Sequence, residues 1–173
     1  MARDWLKPGA PADVVAVAHR SHHGTRAIVA LAAMRETIGH YRVLHKLGEG
    51  GMGVVYAARD ERLDRAVAIK MMHDPGDAQA RSRLWREARM AAAVNHPNIC
   101  QIYEVGEQDG ELFLVMELLE GESLGDRLKR GACTTAETVR MGLELLAGLE
   151  ALHQKSFMHR DLKPSNVFLT PTR

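Results

Sequence analysis

The chain has 173 residues, 46% of them hydrophobic and 26% charged, which is the composition of an ordinary globular protein. This length accommodates one domain, or one small lobe and part of a second. The formal net charge of +1 gives no reason to expect nucleic acid or an anionic membrane as a partner. Two widely separated cysteines, Cys100 and Cys133, form no metal-spaced pair and predict a reducing, cytoplasmic setting. The apolar run from Ala27 to Met34, about eight residues long, is too short to span a bilayer.

Residues 1–39 do not resemble the sequence that follows them. We expect this extension to be disordered or partly helical, with the alanine-rich stretch from Thr25 to Arg35 as a short helix. Met34 precedes the first recognisable strand and is a candidate alternative start, which N-terminal sequencing of the natively expressed protein would test. Three histidines lack a neighbouring cysteine or carboxylate to complete a metal site, so a solvated tail is the favoured interpretation. They are His19, His22 and His23.

A glycine-rich turn joins the first two predicted strands. The strand from Tyr41 to Leu47 is followed by Gly-Glu-Gly-Gly-Met-Gly at 48–53 and by a second strand from Val54 to Ala58. Glycines let backbone N–H groups approach a phosphate because no Cβ atom intervenes. The same G-x-G-x-x-G spacing marks dinucleotide-binding folds, but there the glycines lead into a helix. Here a β-branched strand follows, so the dinucleotide interpretation is rejected.

A third strand, Ala66 to Met72, carries Lys70 at the end of a Val-Ala-Ile-Lys sequence. The segment from Asp77 to Val94 has helical periodicity, and Glu87 falls beside its apolar stripe. An ionised carboxylate that faces a packed sheet is costly unless a cation meets it. We therefore predict a Lys70–Glu87 ion pair. The alternatives are a solvent-facing strand lysine and an unrelated surface acid.

Two further strands, Ile99 to Val105 and Leu112 to Glu117, are joined by a turn at Asp109-Gly110. They bring the total to five strands and one helix. The run 112–116 is apolar throughout, as expected for a central strand with one side on a core and one side lining a pocket. Met116 is compatible with ordinary core packing and with a pocket lining, and both can hold at once.

Helical patterns dominate the rest of the sequence. A short helix is predicted from Ser123 to Arg130, with Ser123 as its cap. A capping box at Thr134 to Glu137 opens a longer helix that extends from Thr135 to His153. This helix delivers the chain to the polar segment 158–166.

The segment 158–166 reads Met-His-Arg-Asp-Leu-Lys-Pro-Ser-Asn. Asp161 can accept a proton from a hydroxyl, Lys163 can neutralise a transferring phosphoryl group, and Asn166 offers an oxygen to a hard cation. Pro164 has no N–H and a fixed φ, so the segment should be a stiff loop. The alternative is a polar connection without function, which a pattern of this length makes unlikely by chance.

From residue 41 to residue 173 the chain resembles the catalytic domain of a eukaryotic-type serine/threonine protein kinase of the bacterial branch. The segment 158–166 has each fixed position of the kinase pattern H-R-D-L-x-x-x-N, and the other motifs follow in the family's order. The resemblance implies an α+β, protein-kinase-like fold with a five-stranded antiparallel N-lobe sheet, one helix and the beginning of a mainly helical C-lobe. The implied kinase domain at 40–173 has an N-lobe at 40–117, a hinge at 117–121 and a partial C-lobe at 122–173.

The resemblance also implies ATP and Mg²⁺ as cofactors and serine or threonine hydroxyls of proteins as acceptors. It makes Asp161 the proton acceptor, Lys163 the partner of the γ-phosphoryl group and Asn166 a Mg²⁺ ligand. Lys70, oriented by Glu87, would hold the α- and β-phosphates. The implied nucleotide-binding positions are Leu47, Gly48, Glu49, Gly50, Gly51, Met52, Gly53, Val55, Ala68, Lys70, Met116, Glu117, Leu119 and Phe168.

One motif of that family does not follow Asn166 in this sequence. It is Asp-Phe-Gly, whose aspartate is a principal Mg²⁺ ligand. We therefore expect these 173 residues to be the front portion of a kinase and to be inactive alone. The alternative hypothesis is a nucleotide-binding or regulatory fragment without turnover. An Asp-Phe-Gly encoded shortly beyond codon 173 would favour the kinase.

Overall fold

The computed structural model describes residues 12–16, 36–50, 53–73 and 77–171 of the chain. The strands in these residues are β1 (Ala12–Ala16), β2 (Thr37–Ile38), β3 (Tyr41–Gly50), β4 (Gly53–Asp60), β5 (Arg65–Met72), β6 (Ile102–Gln108), β7 (Glu111–Glu117), β8 (Glu122–Ser123) and β9 (Val167–Pro171). The helices are α1 (Ala78–Ala92), α2 (Leu124–Leu128), α3 (Thr135–Gln154) and a 3₁₀ turn at Pro164–Asn166. The described residues form two compact units, which we call the sheet unit (36–50, 53–73, 77–93 and 101–118) and the loop unit (12–16, 94–100 and 119–171).

The sheet unit contains one antiparallel sheet in the strand order β2-β3-β4-β5-β7-β6. The five predicted strands are confirmed as β3 to β7. The sheet also has a sixth strand, β2, which adds two residues at the edge beside Tyr41 and Arg42. The strand predicted to begin at Ile99 begins at Ile102, because the chain turns first, with the Ile99 N–H donating to the carbonyl oxygen of His96 at 3.0 Å.

Register assigns the residues of the central strands to two buried faces. On one face Val67, Ile69 and Val115 belong to a hydrophobic cluster and are fully buried. Strand residues alternate between faces and directly opposed residues share one. The opposite face therefore carries Ala68, which opposes Met116, and Lys70, which opposes Leu114. Because both faces are buried, the alternation between apolar and polar residues is absent from β5 and β7.

Helix α1 lies against β6 and buries one stripe of its surface. Leu84, Ala88 and Ala91 are less than a tenth exposed, at the spacing that places side chains on one helix face. The helix ends at Ala92, two residues before the predicted end at Val94. The Ala93 N–H donates to the Met90 carbonyl oxygen as the helix finishes in a turn.

The loop unit is built around α3 and the three-stranded antiparallel sheet β1-β9-β8. The predicted capping box is confirmed: the Thr134 hydroxyl accepts from the Glu137 N–H at 3.2 Å, and the Glu137 carboxylate accepts from the Thr134 N–H at 2.7 Å. Met141 and Leu145 of α3 pack against the buried Val167 and Leu169 of β9. This packing fixes α3 and β9 on either side of the loop that connects them.

A second stripe of α3 is exposed. Val139, Leu143 and Leu146 are 57%, 64% and 62% exposed, and they lie three or four residues apart on one helix face. None of the helices in the described part of the chain has the length and hydropathy to cross a membrane.

The N-terminal extension contains strands that the sequence did not lead us to expect. Residues 12–16 form β1 and residues 37–38 form β2, where the expectation was disorder or partial helix. The helix expected from Thr25 to Arg35, the three histidines and Met34 lie outside the described residues. The segment Val94–Cys100, placed in the N-lobe from sequence, groups with the loop unit, where the Asn98 carbonyl oxygen closely approaches Gly148 of α3.

Candidate active site

The predicted catalytic loop connects α3 to β9. The Phe157 N–H donates to the carbonyl oxygen of Leu152, a fully buried residue of α3, at 3.0 Å. Arg160 has a φ of 60°, in the left-handed region that L-residues rarely adopt. The Asp161 N–H then donates to the His159 carbonyl oxygen at 2.8 Å. These turns reverse the chain within a few residues and orient the Asp161 side chain.

The second half of the loop is a 3₁₀ turn that begins at Pro164. Proline suits this position because its fixed φ matches the turn and the missing N–H would have no partner there. The Asn166 N–H donates to the Lys163 carbonyl oxygen at 2.9 Å. Residues 158–163 lie outside any helix, as predicted, whereas residues 164–166 form a short 3₁₀ helix before β9. The stiffness expected of the loop stays a prediction.

Three predicted site residues meet in this loop. The amide nitrogen of Asn166 donates to the backbone oxygen of Asp161 at 2.9 Å and to its carboxylate Oδ2 at 2.8 Å. The Lys163 Nζ lies 3.0 Å from the same Oδ2. Asn166 is only 7% exposed, whereas the side chains of Asp161 and Lys163 are 18% and 40% exposed. A buried amide thus anchors a carboxylate that remains partly accessible to solvent.

These contacts between the three residues were not predicted from sequence. Sequence reasoning gave Asn166 a role toward Mg²⁺ and Lys163 a role toward phosphate, and it did not anticipate that both would contact Asp161. Neither Asn166 bond uses the amide oxygen, and an amide oxygen is a suitable ligand for Mg²⁺. Among the described residues there is no group of three or more His, Cys, Asp or Glu side chains that could hold a metal ion.

The predicted phosphate-binding lysine lies in the sheet unit. Lys70 is 5% exposed and opposes Val55 of β4. Register places Val55, Ala68, Lys70 and Met116 on one face of the sheet, opposite the face that carries the hydrophobic cluster. Four residues predicted to surround the nucleotide therefore share a surface. A buried lysine stays charged only where neighbouring groups compensate for the loss of water. Such an environment is typical of functional lysines.

The glycines of the predicted phosphate loop have different structural needs. Gly53 has a φ of +137°, and a Cβ atom there would lie 1.8 Å from the Met71 carbonyl oxygen of β5. The fold therefore requires glycine at this position. At Gly48 and Gly50 a Cβ atom would have no atom within 4 Å. Glycine at these two positions leaves open space beside the backbone, which suits the close approach of phosphate groups.

Other residues of the hairpin are placed as follows. Leu47 lies at a β-bulge between Lys46 and Gly48 and is 49% exposed. The Lys46 ammonium hydrogen-bonds the Glu49 carboxylate and lowers the pKa of that carboxyl group. The hairpin closes where Gly50 opposes Gly53. Gly51 and Met52, at its tip, lie outside the described residues.

The remaining predicted residues occupy both units. Glu87 is partly buried on α1, with a solvent-inaccessible Oε2 atom, and its predicted pairing with Lys70 stays a prediction. The Glu117 N–H donates to the Gln101 carbonyl oxygen at 2.9 Å, so this hinge N–H is already engaged. Leu119 and Phe168 belong to the loop unit. The chain passes between the units inside the predicted hinge, after residue 118.

An antiparallel sheet with a glycine-rich hairpin and a buried strand lysine, together with a helix-to-strand loop in which Lys and Asn contact one Asp, defines a protein of the kinase class. Residues 41–173 match the protein family described as "Protein kinase domain". The chain belongs to this family.

The similar proteins are bacterial serine/threonine kinases. The chain is 46% identical over 134 residues to serine/threonine-protein kinase pkn2 of Myxococcus xanthus, covering 76% of this chain and 16% of that protein. It is 42% identical over 137 residues to the probable serine/threonine-protein kinase pknA2 of Bifidobacterium longum, covering 76% and 18% of the two. The chain thus spans less than a fifth of the length of these two relatives.

Solved structures give the same assignment. The crystal structure of the Mycobacterium tuberculosis PknI kinase domain superposes with a TM-score of 0.72 at 29% sequence identity. The match covers 78% of this chain and 57% of that domain. The predicted α+β, kinase-like fold and the predicted family are therefore confirmed.

Proposed function

We propose that the protein is a serine/threonine kinase that transfers the γ-phosphoryl group of ATP to serine or threonine hydroxyls of other proteins. The observation that carries the proposal is the convergence of the Asn166 amide and the Lys163 ammonium on one carboxylate oxygen of Asp161. This arrangement holds a partly exposed proton acceptor in a fixed orientation beside a cation. The bacterial relatives are named serine/threonine-protein kinases, which supports the same activity.

In this proposal Asp161 accepts the proton of the substrate hydroxyl as its oxygen attacks the γ-phosphorus. The carboxylate is accessible, so it can act on a hydroxyl brought from solvent. Lys163 offers a positive charge next to that carboxylate, where it can stabilise the negative charge of the phosphoryl group during transfer. Asn166 maintains the orientation of Asp161 through its amide nitrogen and would present its amide oxygen to Mg²⁺. When bound, Mg²⁺ neutralises charge on the ATP phosphates.

The proposed nucleotide-binding residues of the sheet unit supply contacts to ATP. Lys70 would pair with the α- and β-phosphates, and the open backbone at Gly48 and Gly50 would approach them without a Cβ atom in the way. Val55 and Ala68 would contact the adenine ring. The further proposed contacts are Leu47, Glu49, Gly51, Met52, Gly53, Met116, Glu117, Leu119 and Phe168. The cytoplasmic location inferred from the cysteines stays a prediction.

Asp161→Asn tests the proposed base. The natural gene product, tagged at its own locus and purified from its source, is incubated with γ-labelled ATP and a Ser/Thr protein substrate. We expect kcat to fall on the order of 10²-fold or more, because the amide cannot accept the hydroxyl proton. The affinity for ATP should hold, because the proposed ATP contacts do not include this carboxylate.

Ser165→Ala is the matched control, since Ser165 is an exposed neighbour in the same turn. It should keep activity within a factor of two or so of the unmodified protein. If Asp161→Asn lost ATP binding in proportion to turnover, Asp161 would be structural and the proposed role would fail. If the unmodified natural product bound ATP without transferring phosphate, the kinase activity itself would be refuted.

A further inference from the structure

We propose that the solvent-facing side of α1 is a docking surface for an acidic peptide segment of a partner protein, anchored by an apolar side chain of that segment. We call this side the outer face of α1. It surrounds a shallow cleft and consists of Ser82, Trp85, Arg86, Arg89, Met90 and Ala93. None of these residues is among those proposed for ATP binding or phosphoryl transfer. The surface therefore adds a binding function to the proposed activity.

The periodicity of α1 separates the outer face from the stripe that is buried against β6. Successive residues of an α-helix are turned by about 100°, so Arg86 and Arg89 lie on the side away from that stripe. Both arginines are exposed, and Met90 between them in height along the helix is 38% exposed. Trp85 is half-buried. The outer face thus offers two charged groups and two large apolar side chains to a ligand.

The charge of the outer face is positive. The sequence of α1 contains four arginines, no lysine and one acid, Glu87. Glu87 is partly buried and has a solvent-inaccessible Oε2 atom. Arg81 is paired, with a nitrogen 2.9 Å from the Glu107 carboxylate. Arg86 and Arg89, by contrast, form no ion pair with any residue that the structure describes. Carboxylates of an acidic ligand would supply these two partners.

The tryptophan of the outer face gives a ligand an apolar contact beside the charges. The Arg89 guanidinium lies 5.2 Å from the centroid of the Trp85 ring, which is within cation–π range. An arginine held against a ring keeps its planar group available for two parallel hydrogen bonds to a carboxylate. Tryptophan and arginine are also enriched among the residues that contribute most to protein interfaces. An apolar side chain of the partner would contact Trp85 and Met90, with carboxylates on either side of it.

The chemistry of the outer face favours a peptide over a membrane or a nucleic acid. A helix that lies on a membrane needs a wide apolar side, and the wide apolar side of α1 is buried against β6. Nucleic acids are held by many cations distributed along their phosphates, and the formal net charge of this chain is +1. Two arginines around one aromatic ring match a short segment with a few carboxylates and an apolar residue.

Tryptophan fluorescence measures binding at this surface directly. The chain has two tryptophans, Trp5 and Trp85, so Trp5→Phe in the complete 173-residue chain leaves Trp85 as the only reporter. The probe is a short synthetic peptide of Glu-Leu-Glu-Glu repeats, which contains no aromatic residue. We expect a saturable change in Trp85 emission at micromolar peptide. The same peptide with glutamine in place of glutamate should bind at least about tenfold more weakly.

The variant Arg86→Gln/Arg89→Gln tests the two arginines in the same background. We expect it to bind the acidic peptide about tenfold more weakly. Arg62→Gln/Lys155→Gln is the matched control, because it removes two exposed positive charges outside α1, and it should bind within about twofold of the parent chain. Equal weakening in both variants would overturn the proposal, and so would the absence of a saturable change in Trp85 emission. The glutamine peptide makes the same comparison on an unaltered helix, so the test does not depend on how the variants fold. Equal binding of the two peptides would also refute it.

The same reporter distinguishes the other occupants of the outer face. Vesicles of phosphatidylcholine and phosphatidylserine, a single-stranded oligonucleotide, and dilution of the chain without peptide should each leave Trp85 emission unchanged. A change with vesicles or with the oligonucleotide, abolished by Arg86→Gln/Arg89→Gln, would assign the surface to lipid or to nucleic acid. A change on dilution that this variant abolishes would show that a second copy of the chain is the occupant. Each of these three results would overturn the proposal.

Discussion

The two hydrogen bonds donated by the Asn166 amide give a prediction about stability that is independent of turnover. Asn166→Ala removes the bond to the Asp161 backbone oxygen, 2.9 Å, and the bond to its carboxylate, 2.8 Å. A bond between neutral groups contributes about 1 kcal/mol, and a bond to a charged group about 1.5–3 kcal/mol. The carboxylate is 18% exposed, so water replaces part of the lost interaction. We expect Asn166→Ala to lower the free energy of unfolding of the loop unit by about 2–3 kcal/mol.

Native-state hydrogen exchange of the purified 173-residue chain measures this loss within the loop unit. A decrease of about 2–3 kcal/mol corresponds to exchange that is roughly 30- to 140-fold faster at the most protected amides of α3 and β9. Ser165→Ala, in the same turn, is the control and should change the rates by less than about twofold. If Asn166→Ala exchanged within about threefold of the unmodified chain, the Asn166 bonds would not stabilise the loop.

Three further perturbations follow from the structure. Gly50→Ala should weaken ATP binding with little change in the thermal unfolding midpoint. Gly53→Ala should destabilise the sheet unit by about 2 kcal/mol or more, because the added Cβ atom meets the β5 backbone. A Gly53→Ala variant with unchanged stability would contradict this expectation. Arg130 hydrogen-bonds the Glu122 carboxylate and lowers the pKa of that carboxyl group, so the pair stabilises the fold at neutral pH. The contribution is lost as the pH falls below about 4.3, the pKa of an unfolded glutamate, and through the lower pKa of Glu122 in the folded protein. Thermal melts should therefore show Glu122→Gln to be destabilised at pH 7 but not near pH 3, and a deficit that persists in acid would argue against the ion pair. The exposed apolar stripe of α3 should bind a hydrophobic fluorescent dye, and Leu143→Lys should reduce that fluorescence by at least about half. Unchanged fluorescence would show that the stripe is not the dye-binding surface.

Local sequence determined the elements whose causes lie within a few residues. The Thr134–Glu137 capping box specifies where α3 begins, because both hydrogen bonds close within one turn. The glycine-rich hairpin and the loop 158–166 were predictable for the same reason, because the spacing of a few residues within each segment identifies it. The five strands β3 to β7 followed from short-range alternation and turn residues. The family assignment rests on these local patterns and on their order.

Tertiary structure decided which of these elements meet. The segment Ala-Asp-Val-Val-Ala is β-branched and follows Pro11, which is a usable strand signal, but nothing local indicates that its partner is β9, about 150 residues away along the chain. The assignment of Lys70 and Met116 to one sheet face required the register of β5 against β7. The contacts of Asn166 and Lys163 with Asp161 required the left-handed turn at Arg160 and the buried position of the amide. Strand pairing and side-chain packing join residues that are distant in sequence, and local propensity carries no information about such partners.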